Sequence, residues 1–515
     1  MKSDLTMPAT NSLTRNATRQ LKADSPSLRN RVGVWVALAC TTVLGAVLQL
    51  HAITAKSFWL DEGSSITMSR LDWFNFLRIL WRREMNMVLY YLLLRGWLHL
   101  GDSVAWIRGL SVVFATAAIP AIFLLGRKML GTRCGLVSAL LLSVNAFQAR
   151  YAQEARTYSL LVLLLIIANY FFVSAIDSGR RRDWNWYIVA SSLAIYAHFF
   201  AVLVVVSHWV AVRVMVQSGV IASGSDIRPR FGRAARLIAL WTAPIWIFIA
   251  TTGAGPIAWI PRPGLGDIIG LLKKLSGNVG TMQMILYAVL VFAGLMAGVI
   301  SLRRKTADSP TYIILACWFF VPLTIVLLVS LARPVFAPRY LMISLPAWIM
   351  LAAAGITAGR PRLIGGMLTA VVATSCLGGV QAYYKADFDI GRNDVRSATA
   401  YILDHAQPHD AVVFYSLSTR FPYDYYAAHT NAEVKPEILY PGNTSGVGWR
   451  DFMGVPAAAR VPAFAQGHER IWVVTTPLPP NDPKFAAFES ALDQQYRLAD
   501  SQDFPFVHVM LFTRR

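Results

Sequence analysis

A series of apolar stretches, each about 15 to 25 residues long and separated by short charged segments, constrains this chain more than any other feature. A helix of about 20 apolar residues spans a bilayer. Backbone inside lipid has to satisfy its hydrogen bonds within its own segment, so these stretches are expected to be helices. Charged residues make up 15% of the chain, against about a quarter in a soluble domain.

The first stretch runs from Val32 to about Ala55, behind Arg29 and Arg31. It is too long for the apolar core of a signal peptide and is read as a retained span. Ten more are expected at about 104–126, 134–149, 157–176, 185–199, 200–216, 235–253, 282–302, 311–331, 340–358 and 363–381. The pair meeting at Ala197-His198-Phe199 forms a tight hairpin. Every second connection is basic: Arg127, Lys128 and Arg133; Arg180 to Arg182; Arg228, Arg230, Arg233 and Arg236; Arg303 to Lys305; Arg360 and Arg362. This alternation follows the positive-inside rule and places the N-terminus in the cytoplasm. It also accounts for the net charge of +20 without a nucleic-acid partner. Cys40, Cys317 and Cys376 lie in apolar stretches and Cys134 at the edge of one, so neither a disulfide framework nor a cysteine metal site is expected.

Three regions fall outside the spans. Residues 1–30 read as a polar, basic cytoplasmic tail. The segment NMVLYYLLLRGWLHL is amphipathic and short, and reads as interfacial. From 383 to 515 prolines and charges return. Helices are expected at Asn393–His405 and Pro483–Tyr496, with buried strands at Ala411–Tyr415 and Ile471–Val474. The expected fold is therefore an all-α polytopic membrane domain of about eleven helices over 31–382, followed by a small extracytoplasmic α/β domain over 383–515.

The outer connections carry unusual polar groups close to membrane depth. Trp59-Leu60-Asp61-Glu62 follows the first span. Carboxylates there are costly unless hydrated, paired or functional, so this is either a solvated helix end or an acid facing a cavity. Arg150 to Tyr158 crowds Arg150, Tyr151, Glu154, Arg156 and Tyr158 into one turn. An Arg150–Glu154 helix-face pair explains two of them. Arg333 and Arg339 break the positive-inside pattern. They serve either interfacial snorkelling or an anionic ligand, because a guanidinium donates two parallel hydrogen bonds to phosphate. The loop 254–280, with Trp259, Arg262, Lys273 and Lys274, is either a lid or a solvated amphipathic segment. His198 is a minor candidate, and Tyr423, Tyr425 and Tyr426 read as core more readily than as a sugar platform. No nucleotide-binding or zinc-spacing motif is present.

In this order, WLDEG at 59–63, LYYLLLRGWLHLGDSVAWIRGLS at 89–111, RYAQEARTYSLL at 150–161, YAHFF at 196–200, APRYLMISLP at 337–346 and GRNDVRSATAYI at 391–402 resemble the GT-C membrane glycosyltransferases. The resemblance is nearest to their family 39-type branch, which includes relatives of protein mannosyltransferases, the lipid A aminoarabinose transferase and the Rgt galacturonosyltransferases. Where many relatives read His-Pro-Pro before the amphipathic segment, this chain has Met85-Asn86-Met87-Val88, without the rigid turn that proline provides.

The resemblance implies a polyprenyl-phosphate sugar as donor, a lipid, glycan or protein as acceptor, and a bacterial cytoplasmic membrane with chemistry at its outer face. It implies catalytic acids at Asp61, Glu62 and Glu154. Donor-phosphate contacts are expected from Arg339, Arg333, Arg156, Lys273 and Tyr340, and a substrate lining from Trp59, Tyr151, Tyr158 and His198. No cofactor is obligatory, and a divalent cation on the acids is an open alternative. A transporter or flippase without chemistry is the rival reading, although such proteins usually place polar sites near midplane and often carry internal repeats.

Overall fold

The computed structural model describes residues 28–222, 224–252, 260–277, 280–386, 392–442, 455–479 and 481–515. Trp259 and most of the expected N-terminal tail lie outside these residues. All eleven expected membrane segments are helical. They comprise α1 (Leu28–Leu50), α5 (Val104–Leu130), α6 (Thr132–Ser143), α8 (Tyr158–Ser178), α9 (Arg181–Ala197), α10 (Val202–Gln217), the pair α11 (Ile227–Trp241) and α12 (Ala243–Thr252), α14 (Thr281–Arg303), α15 (Ser309–Ala332), α16 (Leu345–Thr357) and α17 (Arg362–Lys385). Among the described residues eight helices are long and apolar enough to cross a membrane, and nine if α11 and α12, bent by 57°, form one broken span. The other two are shorter: α6 has 12 residues and α9 has 17.

The span Tyr340–Thr357, which contains α16, is 94% buried and lies at the centre of the bundle. Small residues permit this. A methyl group built on Gly355 would overlap the Leu290 carbonyl oxygen, so α14 and α16 touch backbone to backbone. At one end of the bundle Lys128 pairs with Asp177, and Arg230 bonds to the Gly179 carbonyl and to Asp226. Several cations expected to share a face thus do so.

The opposite end carries the first long connection. It holds α2 (Leu60–Arg70), α3 (Trp73–Ile79), a π turn at Leu80–Glu84, a 3-10 turn at Met85–Met87 and α4 (Val88–Leu98). The π and 3-10 turns lead directly into α4, and Asn86 Oδ1 accepts a hydrogen bond from Phe199 N at 3.1 Å. Trp97 stacks on Trp106, with ring centroids 4.5 Å apart, and each indole N–H bonds to the other's carbonyl. That contact closes the connection onto α5. Further short helices at this end are α7 (Ala146–Ala152), which starts on the Asn145 side-chain cap, and α13 (Leu265–Leu275).

The C-terminal region forms a mixed five-stranded sheet in the order β2-β1-β3-β5-β4, made of β1 (Ala411–Phe414), β2 (Glu437–Tyr440), β3 (Arg470–Thr475), β4 (Tyr496–Phe504) and β5 (Val507–Arg514). Strands β1, β2 and β3 run parallel, while β5 runs antiparallel to both β3 and β4. Parallel central strands are covered on both faces and read as continuous apolar runs. Accordingly Val412, Phe414, Trp472 and Val474 pack against α18 (Val395–His405) and α19 (Arg420–Ala428). Ala411, Val413, Ile471 and Val473 pack against α20 (Pro483–Asp493) on the other side.

The two regions meet through α2 and α19. Tyr423, Tyr425 and Tyr426 are all buried. Tyr426 Oη accepts from Phe58 N at 2.8 Å, and Tyr425 Oη donates to the Asp102 carbonyl at 2.7 Å. Gly63 permits the approach, since a Cβ there would lie 2.8 Å from Pro422 N.

Candidate active site

The WLDEG segment places its two acids in different surroundings. Asp61 and Glu62 stand in the first turn of α2, where the helix dipole favours negative charge. Glu62 points inward and forms a bidentate pair with Arg108 of α5, Nε to Oε1 at 2.9 Å and Nη2 to Oε2 at 2.8 Å. Its Oε1 also accepts from Ala155 N at 2.9 Å. Asp61 remains partly open, 23% exposed, and lies between two guanidiniums. Oδ2 is 3.6 Å from Arg156 and 3.5 Å from Arg339.

Arg156 comes from the crowded turn before α8. Its Nη1 donates to Ser65 Oγ at 3.2 Å and Tyr91 Oη at 3.1 Å, and Tyr91 Oη in turn donates to Glu84 at 3.3 Å. Arg339 arrives from the connection before α16. Its guanidinium lies 5.7 Å from the Trp59 ring centroid and 5.6 Å from that of Tyr340. Burial opposes the charge of each arginine. Tyr91 and Asp61 around Arg156, and Tyr158 and Asp61 around Arg339, more than offset it, so both groups are held above the ordinary arginine pKa and stay cationic.

A wall of aromatic residues adjoins this triad. Tyr151 meets Tyr158 edge-on at 4.7 Å, Tyr158 lies 6.1 Å from His198, and His198 lies 5.0 Å from Tyr340. His198 Nδ1 accepts from Phe200 N at 3.3 Å, which leaves its proton on Nε2. Among the described residues, the buried polar atoms His198 Nε2, Tyr158 Oη and Trp59 Nε1 have no hydrogen-bond partner. Buried donors of this kind are normally satisfied, and three of them at one site are suited to the oxygens of a ligand.

The structure therefore gathers Trp59, Asp61, Tyr151, Arg156, Tyr158, His198, Arg339 and Tyr340. Glu154 stands apart from Asp61. It is 1% exposed, with Oε1 2.7 Å from Arg392 and 3.5 Å from Arg150. Arg333 is exposed and Lys273 lies half-buried near the end of α13. Neither makes an ion pair with Asp61. Two arginines that the sequence reading did not single out, Arg108 and Arg392, hold the two buried acids. The quoted IRGLS and GRND segments contain them, but their partners lie 46 and 238 residues away.

A divalent cation takes several oxygen ligands, and arginines and a backbone amide pair with oxygens of Asp61, Glu62 and Glu154. Among the described residues no group of three or more His, Cys, Asp or Glu is placed to hold a metal ion.

The fold is that of the GT-C membrane glycosyltransferases, as the motifs led us to expect. Residues 87–248 match the family model described as dolichyl-phosphate-mannose-protein mannosyltransferase. A similar solved structure is ArnT from Cupriavidus metallidurans bound to undecaprenyl phosphate, with a TM-score of 0.62, 11% identity, and coverage of 93% of this chain and 97% of that one. The archaeal oligosaccharyltransferase AglB from Archaeoglobus fulgidus, in complex with an inhibitory peptide and a dolichol-phosphate, gives a TM-score of 0.55 at 10% identity, covering 91% of this chain and 73% of that one. The Archaeoglobus fulgidus oligosaccharyltransferase in complex with Zn and sulfate gives 0.53 at 10% identity, covering 85% and 67%. A comparison of the sequence with curated proteins gives no match.

Proposed function

We propose that the chain transfers a sugar from a polyprenyl-phosphate donor to an acceptor at the outer face of a bacterial cytoplasmic membrane, with the C-terminal domain on that side. The observation that carries this reading is the position of Asp61 between Arg156 and Arg339. Two guanidiniums flanking one partly open carboxylate place planar cationic donors where the phosphate of a phosphodiester donor can be received beside a base. Both Asp61 contacts are long, so donor phosphate bridging the two guanidiniums would release the carboxylate for the acceptor.

In this mechanism Asp61 accepts the proton of the acceptor hydroxyl as its oxygen bonds to the anomeric carbon. The bond from that carbon to the phosphate oxygen breaks, and polyprenyl phosphate leaves. Arg156 and Arg339 stabilise the charge growing on the leaving oxygen, an electrostatic effect that counts most in a partly dehydrated site. A single displacement inverts the anomeric centre. Glu62 and Glu154 serve as braces, and the donors on Trp59, Tyr158 and His198 orient the sugar or phosphate.

The experiment is release of free polyprenyl phosphate, followed by mass spectrometry, from pooled polyprenyl-phosphate sugars. Wild-type protein in lipid discs is compared with Asp61→Asn, with and without an envelope acceptor fraction. Carboxylate base catalysis is worth about two to four orders of magnitude, and a loss of that size is expected in a folded Asp61→Asn protein. Near-normal release by that variant would overturn the base assignment. No release by wild type would favour transport without chemistry.

A further inference from the structure

The first residues of the C-terminal domain reach both connections that carry the candidate site. Arg392 is 5% exposed. Its Nη2 donates to Glu154 Oε1 at 2.7 Å and to the Arg150 carbonyl at 3.4 Å, while Nη1 donates to Tyr383 Oη at 2.8 Å. Tyr383 Oη donates onward to Gln153 Oε1 at 3.0 Å. Within the same turn the Glu154 carbonyl accepts from Arg156 N at 2.7 Å, and Ala155 N is tied to Glu62. The backbone beside Arg156 is thus held by the Glu62 carboxylate at Ala155 N and by the Glu154 carbonyl at Arg156 N, and an arginine from elsewhere in the chain fixes the side chain of each acid.

Four residues on, the same segment grips the other connection. Arg396 Nη2 donates to the Thr54 carbonyl at 2.8 Å and the Lys56 carbonyl at 3.2 Å. Ser57 Oγ donates to Asp394 Oδ1 at 2.8 Å and accepts from Arg396 N at 3.1 Å. Asp394 also caps α18 through Ser397 N, so the grip is continuous with the sheet domain. Residues 54–57 lead directly into Trp59 and Asp61.

We infer that Arg392, Asp394 and Arg396 form a positioning clamp through which the C-terminal domain sets Arg156 and Asp61, so that lipid-phosphate affinity depends on these three residues rather than on the rest of the seam. None of the three touches Asp61. They act through Glu154, Ser57 and the backbone beside the site. Coupling of two binding events is reciprocal, so a ligand on Arg156 also tightens the clamp. This rests on the reading that Arg156 and Arg339 receive the donor phosphate.

The test uses the full chain in lipid discs, with undecaprenyl phosphate alone as probe. It measures binding affinity together with hydrogen–deuterium exchange over residues 150–157. Arg392→Gln is expected to speed exchange there and to weaken binding about five- to a hundredfold, the usual range for coupled sites. Arg392→Lys should recover part of both. His429→Gln, which breaks the Asp102 contact elsewhere on the same seam, should change neither. Bound probe should slow wild-type exchange over residues 392–396. If Arg392→Gln misfolds, Asp394→Ala frees Ser57 while leaving Arg392 in place, and faster exchange over residues 54–61 is expected. A folded Arg392→Gln with wild-type exchange and affinity would overturn the clamp. If wild type does not bind the probe, the donor reading fails, and exchange over 150–157 still decides whether Arg392 holds that turn.

Discussion

Arg108 and Glu62 form a fully buried ion pair, 3% and 1% exposed, between a membrane helix and the first turn of α2. Arg108 also donates to the carbonyls of Ile53, Lys56 and Ser57 at 2.7 to 3.1 Å. Removing one partner of such a pair strands the other charge and costs about 3–5 kcal/mol. Glu62→Gln and Arg108→Gln are therefore expected to lower thermal stability in detergent sharply. Asp61→Asn, next in sequence but itself partly exposed and held only by long contacts of 3.5 and 3.6 Å, should melt close to wild type. Equal melting of the Glu62 and Asp61 variants would remove the distinction between brace and base.

These two adjacent acids show how far the sequence can be read. Apolar stretches predict the helices of the membrane domain, because lipid leaves the backbone no alternative, but they overstate the length of α6, and α9 is shorter than the spanning helices. The motifs bring Trp59, Asp61, Arg156, His198 and Arg339 to attention as misplaced polar groups. Which of Asp61 and Glu62 turns inward depends on Arg108, a lone arginine in an apolar span with no local mark of its partner. The role of Arg392 is hidden for the same reason. In the sheet domain, β1 and β3 are legible as buried runs. Edge strand β4 (YRLADSQDF) is exposed over most of its length and carries no apolar signal.

Arg339 and Arg333 sit six residues apart, and only Arg339 reaches Asp61. Arg339→Gln should reduce polyprenyl phosphate release by about a hundred- to a thousandfold, the range for losing one preorganised donor of transition-state charge. Arg339→Lys should recover only part, because an ammonium lacks the planar fork that spans two phosphate oxygens. Arg333→Gln, on an exposed side chain, should stay within about twofold of wild type in the same assay. A loss for Arg333→Gln matching that of Arg339→Gln would extend the phosphate site outward.

The seam at Asp102 predicts a pH dependence. Its carboxylate accepts from His429 Nε2 at 2.9 Å and pairs with Arg70 at 3.3 Å. The His429 hydrogen bond leads in holding its pKa below the usual carboxylate value, against the opposing effect of burial and with help from the charges of His429 and Arg70. A carboxyl group with a depressed folded pKa contributes stability that is present above its unfolded pKa of about 3.9 and lost as pH falls through the folded value. Hydrogen exchange over α19 should therefore rise below about pH 4. In Asp102→Asn it should already be faster at pH 7 and lack that acid step. The same acid step in Asp102→Asn would assign it to another group.

Two glycines separate bundle packing from domain docking. Gly355 faces the Leu290 carbonyl between α14 and α16, the kind of close approach that small residues allow where lipid supplies no hydrophobic drive between helices. Gly63 lies against Phe421 and Pro422 of α19, with a built Cβ 2.9 Å from the Phe421 carbonyl carbon. Overpacking a tight contact costs about 1–3 kcal/mol, and more where backbone is the obstacle. Gly355→Ala should lower the melting temperature of the whole membrane domain. Gly63→Ala should leave bundle melting nearly unchanged but speed exchange over residues 420–428, because α19 lifts from α2 while the spans keep their contacts. Global loss of stability from Gly63→Ala would instead mean that the bundle and sheet domain unfold as one unit, with the α2–α19 seam part of the core rather than a separable joint.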